Sequence, residues 1–288
     1  MFPALVDGIT VGALYALLAL GPSLVYGLLR VLDVANASAL ALGAYITVVL
    51  YQQGWPWWLG ALVGMSGAAI FGLLLQWLLY RPLLDRGPLV VLVASIGVFI
   101  AMQEAFQLIF QPYPRQLPVT VPLPSGTVAG TPVTGVQVLM LILGVLVLVG
   151  TWLMLNHTRL GFTWRATAQD RETARAMGIN VNRVIAGIFA AGYALAALAG
   201  VLWAIRYNTV VPTMAEVPAY KMLAIIVLGG LGNPMGTILA AFVIGLAESF
   251  VTAQWGYILP RDTIAFLVLI AILLIRPAGL LPKGLTRA

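Results

Sequence analysis

Long apolar runs joined by short connections constrain this chain more than any other feature. They lie near 4–28, 37–52, 56–80, 88–110, 134–156, 184–206 and 262–276, and several reach the roughly 20 residues that cross a bilayer. Lipid offers no hydrogen bonds to the backbone, so a spanning segment must satisfy its own amides, as a helix or within a closed barrel. A barrel would show alternating segments of about ten residues, and the runs here are continuous. The chain is 61% hydrophobic and 8% charged, against about 25% charged residues in a soluble domain. The expected fold is all-α: a polytopic helical membrane protein forming one transmembrane domain over residues 1–288. The region 219–251 is long enough for two short helices around LGGLGNPMG. That gives about eight or nine membrane segments, including a possible re-entrant hairpin. The N-terminal run lacks a basic leader and is too long for a signal peptide, so it reads as a retained first span.

Charge orients the spans. The 80–88 loop holds Arg81 and Arg86, the tail holds Arg276, Lys283 and Arg287, and the 157–183 segment holds five arginines. The proline- and glycine-rich 111–133 connection holds only Arg115. Basic connections face the cytoplasm, so the first three lie inside and 111–133 lies outside. The N-terminus is then outside, and 219–251 starts and finishes outside. The formal charge of +6 follows this loop bias, and its scatter over short loops argues against nucleic acid. Glycines four apart, Gly8 with Gly12 and Gly60 with Gly64, are read as close helix packing within one bundle.

Several chemistries are excluded. The chain has no cysteine and one histidine, His157, so no metal centre is expected. Neither lysine, Lys221 or Lys283, follows a phosphate-binding glycine loop, so the chain carries no ATPase of its own. A membrane enzyme lacks an acid–base set.

The 157–183 elbow is the one substantial polar segment, and it carries signals of a folded unit. Asp170 is positioned to cap a short helix, Glu172 lies in its first turn, and Gly178 follows as the left-handed stop. Arg171 and Arg175 stand at i,i+4 spacing. Such an elbow suggests a docking surface for a soluble partner.

Polar residues inside the runs are the other candidates. Glu104 stands beside Gln103 in an apolar run, either on a solute path or proton relay or near the membrane edge. Glu248 is read as an edge or locally bonded carboxylate. Asp33, Asn36 and Ser38 interrupt apolar sequence, either as the polar end of a broken helix or as an ordinary capped loop. Gly229, Gly230, Gly232 and Gly236, with Pro234, force a tight turn or unwound backbone. The third glycine of a dinucleotide fingerprint is missing, because Met235 stands there.

In order along the chain, the blocks Gly8, Gly12 and Tyr15–Ala16–Leu17, then Leu42–Gly43–Ala44–Tyr45, Arg81–Pro82–Leu83 with Ser95–Ile96–Gly97, Arg165–Ala168 with Ala174–Asn180, Leu228–Gly236 and Arg276–Leu280 resemble permease subunits of the branched-chain amino-acid ABC importers, the shorter of the two permease types. The elbow resembles the E-A-A-x-x-x-G coupling motif, here Glu172–Thr173–Ala174 with Gly178. The resemblance implies ATPase-coupling residues Arg165, Asp170, Arg171, Glu172, Ala174, Arg175 and Gly178. It also implies a second permease subunit, two ATPase subunits that bind ATP and Mg, an extracytoplasmic solute-binding protein, and a prokaryotic plasma membrane. Asn36, Ser38, Ser95, Gln103 and Glu104 are the candidate solute-path residues, and no cofactor is expected in this chain. One segment departs from the family. Asp33–Val34–Ala35–Asn36–Ala37–Ser38 stands where Asn-Phe-Ala-His-Gly-Glu is typical, which leaves other small polar solutes open. The alternative is an ion-coupled carrier using Glu104, and the docking elbow argues against it.

Overall fold

The computed structural model describes residues 2–119, 126–128 and 131–256, together with 263, 266, 267, 270, 271, 274 and 279–281. The helices are α1 (Phe2–Leu29), α2 (Asn36–Gln52), α3 (Trp57–Leu75), α4 (Arg81–Leu83), α5 (Pro88–Phe110), α6 (Gly135–His157), α7 (Arg159–Gln169), α8 (Arg171–Ala176), α9 (Val181–Tyr207), α10 (Glu216–Gly229) and α11 (Pro234–Trp255). A π-turn, Gln76–Tyr80, joins α3 to α4. The short strands β1 (Gly126–Val128) and β2 (Thr131–Val133) form an antiparallel hairpin within the predicted outer connection.

Among the described residues, six helical stretches are long and apolar enough to cross a membrane: Pro3–Leu29, Trp57–Leu83, Pro88–Phe110, Gly135–His157, Val181–Tyr207 and Pro234–Gln254. The expected count of eight or nine also needs α2, α10 and the 262–276 run. α2 and α10 have 17 and 14 residues, about 25 Å and 21 Å of helix. The 262–276 run and the basic tail lie largely outside the described residues.

Burial separates an inner from an outer layer. α1, α2 and α9 form the centre, and α3, α5 and α6 present wide apolar faces. Those faces carry Leu62, Ile70 and Leu74 on α3, and Val145, Leu146 and Val149 on α6. Central helices approach closely because small residues meet. A Cβ on Gly21 would lie 2.6 Å from the Gly192 Cα, and one on Gly43 would lie 2.6 Å from the Ala197 Cβ. Gly8 and Gly12 fit against Leu246 and Phe242 of α11, and Gly60 and Gly64 against Thr47 and Gly43 of α2. Both spacings therefore serve packing within the chain.

The connections gather at two ends. At one, Leu28 of α1 meets the 157–183 elbow, and a Cβ on Gly232 would lie 3.1 Å from the Gly27 Cα. At the other, Asp7 pairs with Arg206 and accepts a hydrogen bond from Ser249 Oγ at 3.1 Å. There Arg115 and Val210 pair backbone to backbone, and Tyr51 donates to the Pro118 carbonyl. The α10–α11 hairpin thus turns at the elbow end and returns to the opposite end.

Candidate functional site: the elbow and the hairpin turn

Thr158 begins the elbow by accepting from the Gly161 amide at 3.2 Å, which starts α7. α7 buries Gly161, Trp164 and Thr167 on one face. The Trp164 indole donates to the Leu24 carbonyl at 3.4 Å, and its ring fills the space over Gly27. Asp170 then ends α7 and caps α8. Its Oδ1 accepts from the Glu172 and Thr173 amides at 2.8 and 3.3 Å, and its Oδ2 accepts from the Thr173 hydroxyl at 2.5 Å. That hydroxyl, then the two amides, hold the Asp170 carboxyl below its ordinary range.

α8 closes with a Schellman motif. The Ile179 amide donates to the Ala174 carbonyl and the Gly178 amide to the Arg175 carbonyl, both at 3.0 Å, with Gly178 at φ +84°. Asn180 accepts from the Arg183 amide at 3.2 Å and starts α9. Ala174 alone in α8 is buried, while Glu172, Arg175 and Met177 stand exposed. Arg175, Gly178, Ile179, Asn180, Val181 and Asn182 line an open groove beside them.

The two arginines expected to project as a row part company. Arg175 is exposed, whereas Arg171 turns inward. Its Nε and Nη2 donate to the Leu28 carbonyl at 3.1 and 2.5 Å, so it caps the C-terminus of α1. Burial, then the nearby Arg175 and Arg30 charges, shift its proton affinity down. Arg165 donates to the Leu155 carbonyl near the end of α6. Two arginines therefore fasten the elbow to the ends of two membrane helices by carbonyl bonds. The i,i+4 spacing shared by Arg171 and Arg175 carried no sign of this division.

The glycine-rich segment is a tight turn. Gly230 and Gly232 take φ of +100° and +76°, and Asn233 caps α11 by accepting from the Met235 and Gly236 amides at 3.2 Å. Gly229 and Gly236 touch backbone to backbone. Residues 280 and 281 lie across the turn, with the Leu280 amide donating to the Leu228 carbonyl at 2.7 Å and Asn233 donating to the Leu281 carbonyl at 2.7 Å.

The intramembrane polar residues divide into sealed and open groups. Asn36, Ser38 and Ser95 are buried inside the bundle. Ser38 donates to the Ala35 carbonyl, and Ser95 joins α5 to the 30–35 loop by accepting from the Val34 amide at 3.2 Å. The polar stretch is therefore not exposed as a loop on the surface of this chain. It folds back inside the bundle, and α2 starts there. Gln103 is half-buried and donates to Glu216, at the start of α10. Glu104 is exposed on α5. Asn36 and Ser38 thus do not share a surface with Glu104.

Sequence reasoning missed one network. Glu248 pairs with Lys221 at 2.9 Å and accepts from the Tyr15 hydroxyl at 2.9 Å, while Lys221 donates to that hydroxyl at 2.8 Å. All three are buried, and they tie both arms of the hairpin to α1. One lysine and one glutamate in the two arms of a predicted hairpin was the available signal.

The family model described as branched-chain amino acid transport system, permease component, matches residues 4–276. The chain is 32% identical to the high-affinity branched-chain amino acid transport system permease protein BraD of Pseudomonas aeruginosa, over 97% of this chain and 95% of that protein. It is 30% identical to the permease protein LivH of Escherichia coli, over 96% and 94%. Among solved structures, PsaBC from Streptococcus pneumoniae in complex with Fab matches with a TM-score of 0.51 and 16% identity, over 94% of this chain and 88% of that one. That likeness concerns the fold.

Proposed function

From its membership of the branched-chain amino-acid transport permease family, we propose that this chain forms half of the membrane pathway of an ATP-driven importer. Its cargo is a branched-chain amino acid or a similar small polar solute. The fourfold polar set of the elbow carries this reading: the Asp170 cap, the Gly178 stop, and the exposed Glu172 and Arg175 between them. A self-sufficient carrier has no use for a folded, outward-facing helix at this place, and the relatives are ABC permeases, so the carrier alternative is dropped.

In this reading one of two ATPase subunits receives α8 in a groove on its surface, the other serves the second permease subunit, and ATP with Mg bound to the ATPases supplies the energy. Arg175 and Glu172 meet the ATPase. Arg171 and Trp164 pass its movement to α1 through the Leu28 and Leu24 carbonyls, since a short rigid helix bolted to a long one moves with it. Arg165 does the same for α6. The glycine turn at 229–236, packed on Gly27, moves with that end of α1. A second permease subunit completes the pathway, and a solute-binding protein delivers cargo at the Asp7–Arg206 end, in a prokaryotic plasma membrane. Six long helices, with α2, α10 and the 262–276 run, make the eight or nine segments.

The solute path runs along the open face of α5. Glu104 is exposed there within an apolar helix, and a carboxylate at membrane depth needs water or a protein partner. α3 and α6 show no such charge on their exposed faces and fit lipid. Gln103 and Ser95 support α5 from behind, through Glu216 and Val34, and Ser38 supports the start of α2 through the Ala35 carbonyl, beside the buried Asn36. This subunit binds and guides, and breaks no covalent bond. Purification from native membrane tests the assignment: an ATPase should accompany the chain, and a deletion strain should lose uptake of branched-chain amino acids within a panel of small polar solutes. A chain that purifies without an ATPase and whose loss spares every solute in the panel would overturn it.

A further inference from the structure

The interior holds a second polar constellation, centred on Asp33, that the elbow does not use and that shares only Asn36 with the expected solute path. Asp33 and Asn36 are each 0% exposed. They sit where the chain, having left α1 at Arg30 with φ +55°, folds back into the bundle to start α2. Three hydrogen bonds converge on one oxygen of Asp33. The Tyr80 hydroxyl, the Tyr193 hydroxyl at 3.2 Å and the Asn36 amide at 3.2 Å donate to Oδ1. Asp33 Oδ2 has no hydrogen-bond partner, and neither does Asn36 Oδ1 or Nδ2. Native interiors leave few buried polar atoms unpaired, because each costs free energy. Three such atoms in two residues joined by a hydrogen bond mark a place where something is bound.

Charge identifies the guest. The contacts of Asp33 are two neutral phenols and the peptide N–H groups of Asn36 and Ala35, and no lysine or arginine side chain touches it among the described residues. The N-terminus of α2 contributes about half a positive charge, so about half of the carboxylate charge stays uncompensated. A water molecule would satisfy hydrogen bonds and leave that charge in place. A cation satisfies both. The available atoms are a carboxylate oxygen and an amide oxygen, hard donors that suit alkali and alkaline-earth ions over thiophilic metals. One carboxylate matches one positive charge, whereas divalent sites of this class commonly gather several carboxylates. No group of three histidine, cysteine or acidic residues is present among the described residues.

We propose that Asp33 Oδ2 and Asn36 Oδ1, at the buried start of α2, hold a monovalent alkali cation inside the bundle. Among the described residues both ligands are fully buried, so the ion is resident and is not cargo. It fixes a joint where α2, the π-turn through Tyr80, and α9 through Tyr193 meet, with α5 attached through Ser95 and Val34.

The test uses the full chain in its assembled transporter, in detergent, with thermal unfolding followed in sodium, potassium or choline chloride at fixed ionic strength. Sodium or potassium should raise the unfolding midpoint over choline. Above half-saturation the rise should grow by an equal increment for each roughly tenfold increase in ion, the form that binding to the native state requires. Asp33→Asn should remove the alkali dependence. Asn36→Leu, which removes the amide and keeps the carboxylate, should weaken it and shift half-saturation upward. Asp33→Asn is the variant that could fail to fold, and the Asn36→Leu titration then decides. Equal midpoints in all three salts would overturn the proposal and leave a water, or a neutral Asp33 acid, as the occupant. Alkali dependence unchanged in Asn36→Leu would place the ion elsewhere and overturn it too.

Discussion

Replacing Gly178 by valine tests the elbow at the residue where backbone conformation alone decides. Gly178 sits at φ +84°, and a Cβ built on it would find no atom within 4 Å. The substitution therefore introduces no clash, and its cost comes from the backbone. An L-residue in the left-handed region loses about 1–2 kcal/mol, and a β-branched one lies at the costly end. If the backbone flips instead, the Ile179–Ala174 and Gly178–Arg175 hydrogen bonds are lost, at about 0.5–1.5 kcal/mol each. Either route disfavours the closed α8 by roughly 1–3 kcal/mol. Since 1.4 kcal/mol is about tenfold in an equilibrium, binding that needs the closed elbow should fall about tenfold or more. Membrane insertion should be unchanged, because it rests on apolar helices remote from Gly178. Gly178→Asn is the control, since asparagine visits the left-handed region readily and should keep most of the binding. The assay is capture of the ATPase together with solute uptake, at matched membrane levels. Full binding and full uptake in the valine variant would show that the Schellman closure is irrelevant to docking.

Three further outcomes follow from the same geometry. Arg175→Ala should weaken ATPase capture in a salt-sensitive way and by no more than about 1 kcal/mol, as an exposed contact does, whereas Arg171→Ala should leave capture near normal and lower uptake per ATP hydrolysed; equal effects on both readouts would remove the division of labour. In this cysteine-free chain, Tyr113→Cys and Met177→Cys, which are 71% and 79% exposed, should label from opposite sides of the membrane, and labelling from one side would invert the span map. Glu248→Gln should destabilise the hairpin by about 3–5 kcal/mol, since it leaves Lys221 charged and buried, while Lys221→Met with Glu248→Gln should recover much of the loss; a single variant as stable as the parent in thermal unfolding would contradict a tight buried pair.

What the sequence disclosed and what it hid divide along physical lines. Apolar length located α3, α5, α6 and α9 to within a few residues, because solvent preference is additive along a run. Local capping chemistry was legible too. Asp170, Gly178 and the turn at Gly230–Asn233 obey rules confined to a few neighbouring residues, and the structure follows them. Long-range partners were hidden. Arg171 looked like a surface charge because nothing local announces the Leu28 carbonyl, which is 143 residues away. Glu248 reads as an edge or locally bonded carboxylate because its partner lies on another helix. The 30–35 segment was ambiguous for the same reason. Its polarity suits a surface loop, and the partners that receive Asp33 in the interior include the hydroxyls of Tyr80 and Tyr193, 47 and 160 residues away.

The most direct test of the account is uptake by proteoliposomes holding this chain with its second permease, the ATPases and the solute-binding protein. ATP is confined to the side on which Met177→Cys labels, with labelled branched-chain amino acid and the binding protein on the other. The account predicts uptake that requires ATP on the elbow side, persists when the proton and sodium gradients are collapsed, and survives Glu104→Gln without acquiring or losing any gradient dependence. Uptake that runs without ATP, follows an ion gradient and disappears in Glu104→Gln would contradict it.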